Sequence, residues 1–387
     1  METRSAALDV GRALAILGVV AVHVGDRFPA LPAWARTLSD MGQYGVQLFF
    51  VISAITIFTT IDVDAKKFSN KKTVAFRFYI KRFFRIAPIY YLAILVYGFL
   101  NAIAVSKLNA RAPLLDPHGT AAIAANIAFI HAFFPSAINN VVPGGWSIGI
   151  EMAFYAIAPG LLYLMPDRKH ASLIIAVAFL MCAVAMLVLA DGKILDIKNN
   201  SFLYFSLPAQ IPCFLIGTIA WFKLRAVLAG RNRIGGFSVA LAYCLMTLGV
   251  AGAFVFGVGG GVAYVLAPVC AATAASGLLI LLSTRTAARL RLHWLARFGQ
   301  YSYGVYIWHF LIVFACGRLV NEILRIQSTN AALLMYPAAV LIVAYLSYLF
   351  SRATESQIQE RADIIKKAIL ERISAHEAAP LSSQERL

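Results

Sequence analysis

Residues 125–134, ANIAFIHAFF, decide the fold, because their reading sets the side of a bilayer on which every later loop lies. An α-helix needs about 20 mostly apolar residues to cross the hydrocarbon core, and this stretch is too short. Ten longer apolar windows surround it, near 8–25, 43–61, 86–104, 147–165, 171–190, 202–222, 236–256, 262–282, 300–320 and 331–350. Charge settles the ambiguous stretch. Segment 62–85 holds Lys66, Lys67, Lys71, Lys72, Arg77, Lys81, Arg82 and Arg85, so the positive-inside rule turns it toward the cytoplasm, and the N-terminus with it. If 120–137 does not cross, the inward segments carry 26 of the 34 lysines and arginines. If it does cross, every later loop inverts and that asymmetry collapses.

The sequence therefore predicts an all-α polytopic membrane protein with about ten transmembrane helices and both termini cytoplasmic. Segment 120–137 becomes a short re-entrant or surface helix. Residues 1–355 form the transmembrane domain. Residues 356–387 are a cytoplasmic polar tail, expected to be partly disordered at its end, APLSSQERL (379–387).

Composition agrees. Of 387 residues, 60% are hydrophobic and only 13% charged, and mean hydropathy is +0.75; soluble domains run near one-quarter charged. The net charge of +16 follows from the inward loops and calls for no nucleic acid. Five cysteines, Cys182, Cys213, Cys244, Cys270 and Cys316, lie in apolar segments without ligand spacing, so no metal is expected. The first span is not a cleaved leader, since Arg12 and His23 have no place in a signal's apolar core.

Ionisable groups inside spans are functional candidates, because their cost in hydrocarbon must be offset. Arg12 and His23 bracket RALAILGVVAVH in the first span. Eleven residues rise roughly 16 Å in about three turns, so both point to one side and are expected to line one cavity at two depths. Anchoring at the two interfaces is the plainer alternative. Arg82 and Arg85 share a helix face at the cytoplasmic entry to the third span, where guanidinium forks suit phosphate; a simple positive anchor is equally open. Glu151, a few residues into an apolar run, needs a partner. Arg12, an imidazolium or the Arg82/Arg85 pair are the candidates. His309 reads as an interior histidine, and His131 has no assigned role.

Five stretches together, RALAILGVVAVH, VQLFFVISAITIF (46–58), FYIKRFFRIAPIYY (78–91), GGWSIGIEMAFY (144–155) and YSYGVYIWHF (301–310), resemble acyltransferase family 3 in order and spacing over about residues 5–355. These are bacterial membrane O-acyltransferases of surface polysaccharides, lipopolysaccharide and related acceptors. The resemblance implies acyl-CoA, usually acetyl-CoA, as a cytoplasmic donor substrate, with no permanently bound cofactor. The family's Arg–ten residues–His signature falls on Arg12 and His23, its paired arginines on Arg82 and Arg85, and its Trp–Glu signature on Trp146 and Glu151. Many relatives continue into an extracytoplasmic hydrolase-like domain, which is expected to be lacking here. The proline that often follows a glutamate near the family's last helix is missing from TESQIQER (354–361).

The expected chemistry follows. Arg82 and Arg85 hold the donor's phosphates at the inner mouth, the thin pantetheine arm passes Arg12, and His23 acts as general base on a glycan hydroxyl. Glu151 orients or balances that site. The partners are the bilayer, acyl-CoA and a glycan or glycolipid acceptor, in a bacterial cytoplasmic membrane. A secondary transporter or exporter is the rival reading, weakened by the lack of repeat symmetry.

Overall fold

The computed structural model describes residues 5–108, 119–165, 168–190, 201–230, 234–259, 263–284, 287, 290 and 292–378. Among them every regular element is helical. In chain order the α-helices are α1 (Ala6–Gly25), α2 (Ala33–Asp40), α3 (Gly45–Ala65), α4 (Lys71–Leu108), α5 (Thr120–Ile127), α6 (Trp146–Leu164) and α7 (Arg168–Ala190). There follow α8 (Ser201–Phe205), α9 (Leu207–Leu228), α10 (Gly236–Gly259), α11 (Ala263–Leu282), α12 (His293–Gln300), α13 (Ser302–Arg318) and α14 (Thr329–Ala378). Ten stretches of helix are long and apolar enough to cross a membrane, centred on α1, α3, α4, α6, α7, α9, α10, α11, α13 and α14. They coincide with the ten windows read from the sequence.

ANIAFIHAFF does not cross. Helix α5 has eight residues, a rise of about 12 Å. It stops where Phe129 takes φ 58°, a left-handed conformation that costs a residue with a Cβ and ends the helix. One 3-10 turn, His131–Phe133, follows. Polar side chains pull the segment into the protein. Tyr90 Oη donates to Asn126 Oδ1 at 2.7 Å, and Asn126 Nδ2 donates to the Ala122 carbonyl at 2.9 Å. The His131 ring meets the Gly145 carbonyl through Nε2 at 2.9 Å, which braces the turn before α6.

Burial separates core from lipid-facing helices. The apolar window containing α3 is 72% buried inside the protein, whereas those of α7 and α10 are 11% and 17% buried. Helices that are apolar all round and unburied by protein are stable only in lipid. Helix α1 is central and packs on α3, α12, α13 and α14. At Gly299 a Cβ would come 1.8 Å from the Asp9 carbonyl oxygen, so α12 lies directly on the α1 backbone there.

Residues 356–378 of the polar tail continue α14, while APLSSQERL (379–387), where disorder is expected, lies outside the described residues. Fifty residues of helix extend roughly 75 Å, more than twice the hydrocarbon thickness. The far half runs along the basic start of α4. Arg77 Nη1 donates to Ser374 Oγ at 2.7 Å and to the Leu370 carbonyl at 3.1 Å, and Gln359 Nε2 donates to the Phe84 carbonyl at 3.0 Å. Those backbone and side-chain partners give a polar segment the order its composition alone would not.

Candidate functional site

Two cavities occupy the middle of the bundle. The inner one, about 70 Å³, is bordered by Arg12, Arg82, Arg85, Ser53, Glu151 and Tyr155. The outer one, about 460 Å³, is bordered by His23, Asp26, Arg27, Asn140, Trp146 and Tyr204. Val46 and Tyr306 line both. Arg12 and His23 thus point to the same side of α1, as the spacing requires, but they line two adjoining cavities rather than one.

Arg12 is anchored from its own helix. Its Nη1 donates to Asp9 Oδ1 at 2.5 Å, and its Nη2 donates to Thr56 Oγ1 on α3 at 3.0 Å. Asp9 is 2% exposed and Arg12 9%, so the pair is a buried salt bridge and each charge depends on the other. Arg12 does not snorkel to an interface. The acid stands three residues upstream in ALDVGRALA, one helical turn away, whereas the sequence offers Arg12 only as one of three candidate partners for Glu151.

Glu151 is held by hydroxyls. Ser53 Oγ and Tyr155 Oη both donate to its Oε1, and the Arg82 guanidinium lies over the Tyr155 ring, 5.6 Å from its centre. The carboxylate borders the inner cavity with the three arginines. It does not line the outer cavity where His23 lies. Arg82 is buried and its Nη2 donates to Thr60 Oγ1 at 2.8 Å. Arg85, one turn on, is exposed at the same cavity. The two arginines therefore differ: one is built into the wall and the other stands at the mouth.

His23 is half-buried. Its Nδ1 lies 3.6 Å from Asp26 Oδ2, an ion-pair distance longer than a hydrogen bond. Asp26 is also held by Arg36 Nη2 at 2.5 Å. Burial pushes the Asp26 carboxyl up, but His23, Arg36 and Arg27 together outweigh it and hold the group below its ordinary value. The His23 ring also sits 4.6 Å from Phe310 and 5.4 Å from His309, centre to centre. His309 is fully buried. Its Nδ1 meets the Tyr306 carbonyl at 2.6 Å, which makes Nδ1 the donor and leaves Nε2 a lone pair. That Nε2 has no hydrogen-bond partner, so His309 is not the satisfied interior histidine the sequence suggested. His131 braces a turn and lines neither cavity. Burial pushes its imidazole down, against the hydrogen bonds to backbone that raise it, and keeps it neutral.

The wall between the cavities is a chain of hydroxyls. Ser147 Oγ donates to Tyr306 Oη at 2.8 Å, and Tyr306 Oη donates to the Gly144 carbonyl at 2.9 Å. Ser147 borders the inner cavity and Gly144 the outer. Gly144 has φ 76°, and a Cβ there would come 3.0 Å from both Tyr306 Oη and Phe310. Only glycine fits without strain. Nothing local in YSYGVYIWHF singles out Tyr306, since its partners Ser147 and Gly144 lie about 160 residues away. Among the described residues no cluster of His, Cys, Asp and Glu is arranged to hold a metal.

A family model described as an acyltransferase domain covers residues 5–352. The peptidoglycan O-acetyltransferase OatA of Listeria monocytogenes is 27% identical over 370 residues, 89% of this chain and 54% of that protein. The exopolysaccharide production protein ExoZ of Rhizobium meliloti is 28% identical over 190 residues, 48% of this chain and 53% of that protein. The chain thus spans about half the length of these relatives. No solved structure matches it.

Proposed function

This chain belongs to the acyltransferase family whose domain covers residues 5–352, and from that premise we propose that it moves an acyl group, acetyl first, from cytoplasmic acyl-CoA to a hydroxyl of a surface or exported glycan. It does so from a bacterial cytoplasmic membrane, with both termini and the extended end of α14 on the cytoplasmic side. The transferase occupies residues 1–355. The observation that carries the reading is the pair of cavities meeting at Val46 and Tyr306. A narrow, arginine-lined inner slot suits the thin arm of a donor whose phosphates stay outside. A roomy outer cavity of about 460 Å³ falls in the range of small-molecule sites.

Arg85 at the mouth and Arg82 behind it hold the donor's phosphates by charge-assisted hydrogen bonds. Glu151 balances the positive charge of the slot, and Arg12, fixed by Asp9 and Thr56, lines the path of the pantetheine arm. At the wall the thioester carbon meets the acceptor oxygen. His23 takes the hydroxyl proton as that oxygen attacks, the C–S bond breaks, and the new ester remains with the glycan. The CoA thiolate receives the proton, which returns His23 to its neutral form. A positioned base of this kind contributes about 10²–10⁴-fold.

The test is acyl transfer in proteoliposomes, with labelled acetyl-CoA outside the cytoplasmic face, joined to mass spectrometry of surface glycans from cells with and without the gene. An acyl-sized mass difference is expected. Identical glycans, with substrate accumulating across the membrane instead, would return the protein to the transporter reading.

A further inference from the structure

The outer cavity contains an arginine that the chemistry above does not use. Arg27, just beyond α1, is half-buried, borders the cavity that holds His23, and packs against Gly317 of α13, where a Cβ would come 2.8 Å from Arg27 Cδ. Its Nε is buried without a hydrogen-bond partner. Among the described residues it forms no salt bridge, because the neighbouring carboxylate, Asp26, is taken by Arg36 at 2.5 Å and shared with His23. A guanidinium cannot shed its proton, and Arg27 reaches Asp26 only beyond ion-pair distance, with Arg36 and His23 already on that carboxylate, so a ligand anion is the counter-charge this half-buried group lacks. The same cavity is bordered by an unpaired acceptor: Asn140 donates its Nδ2 to the Ser136 carbonyl, while its buried Oδ1 has no partner. The apolar wall is Trp146 stacked on Phe205, 4.5 Å between ring centres, beside Tyr204. One cation, one acceptor oxygen and a broad aromatic face are the groups that recognise a sugar ring carrying an oxyanion.

We propose that the acceptor is anionic: Arg27 binds a carboxylate or phosphate of the glycan, close to the hydroxyl presented to His23. This deepens the acyltransferase reading and rests on it for the meaning of the site, but its test reads binding alone. The full-length chain, purified in detergent, is titrated with three probes: a glucuronic acid tetrasaccharide, its carboxyl-reduced neutral counterpart, and inorganic pyrophosphate. Binding is followed by fluorescence, with Trp146 in the cavity wall as reporter and a Trp146→Phe control. Wild type should bind one of the anionic probes about tenfold or more tighter than the neutral sugar, the difference expected of a charge-assisted contact. Arg27→Gln should erase that preference while keeping affinity for the neutral sugar, and Arg27→Lys should keep part of it. Preference for glucuronate identifies a sugar carboxylate, and preference for pyrophosphate identifies the phosphate of a lipid-linked carrier. Equal binding of all three probes, or a preference that survives Arg27→Gln, overturns the proposal. Failure of acyl transfer in the wild type, by contrast, would sink the enzyme reading and leave this binding result standing.

Discussion

The imidazole rings of His23 on α1 and His309 on α13 lie 5.4 Å apart, centre to centre. The second ring is fixed in one tautomer by the Tyr306 carbonyl and turns an unpaired, fully buried Nε2 to its surroundings. An unmet buried acceptor costs about 1–3 kcal/mol, so its retention calls for a use. The neighbouring ring is that of His23, and a positioning role for His309 toward it makes a specific kinetic prediction. His309→Leu, which keeps the bulk and removes the acceptor, should lower kcat by about tenfold or more with the KM for acyl-CoA unchanged. His309→Gln offers an oxygen in its place and should recover much of the loss. Equal activity in Leu and Gln variants at normal abundance would assign His309 to packing.

His23→Gln keeps size and polarity but cannot take the hydroxyl proton. Transfer in membranes should fall by about 10²–10⁴-fold, with protein level held constant by blot. Near-normal transfer would remove His23 from the chemistry.

Arg82 and Arg85 should separate in two measurements. Arg85→Ala, at an exposed position, should weaken acyl-CoA binding about tenfold or more and leave the melting temperature in detergent within a degree or so of wild type. Arg82→Ala should weaken binding and lower the melting temperature as well, since it removes a buried contact to Thr60. If neither variant changes donor affinity, the pair is an interfacial anchor.

Asp9→Ala takes the carboxylate from a buried Arg12. Breaking such a pair costs about 3–5 kcal/mol, so yield and melting temperature should both drop. Arg12→Lys preserves the charge but not the two-pronged geometry that reaches Asp9 and Thr56, and it should reduce transfer more than stability. A fully active Arg12→Lys would mean that only charge matters at that position.

Topology can be checked with single cysteines in a cysteine-free background. Trp34 on α2 is 61% exposed and Lys67 after α3 is exposed. A membrane-impermeant thiol reagent applied to intact spheroplasts should label Trp34→Cys and spare Lys67→Cys. Labelling of both from outside would invalidate the orientation taken from the charge distribution.

The ten helices were legible in the sequence because they depend on length and apolarity, both local properties, and the failure of ANIAFIHAFF to cross was legible from the distribution of lysine and arginine over all the loops. Arg12, Arg82, Arg85 and Glu151 were legible as candidates for a related reason: a charge within an apolar run stands out whatever surrounds it. Their partners were not. Glu151 looked like a match for arginine, and the fold gave it the hydroxyls of Ser53 and Tyr155. Asp9 escaped although it stands one turn from Arg12, since an acid near a helix start reads as ordinary there. The docking of the end of α14 on α4 was not legible either, because it joins residues almost 300 apart in sequence.

The sequence by itself determined the spans, their apolar faces and which ionisable groups enter the bundle, for each of these follows from the cost of placing a given residue in hydrocarbon. Only the tertiary structure decided that the arginines and Glu151 share a narrow inner slot, that His23 lies in a separate outer cavity beside Arg27 and His309, and that Val46 and Tyr306 stand between them. Those relations depend on how α1, α3, α6 and α13 are rotated and set against one another. Rotation about a helix axis is fixed by packing across the bundle, where a glycine such as Gly144 or Gly299 admits a close approach, and local sequence carries no term for it.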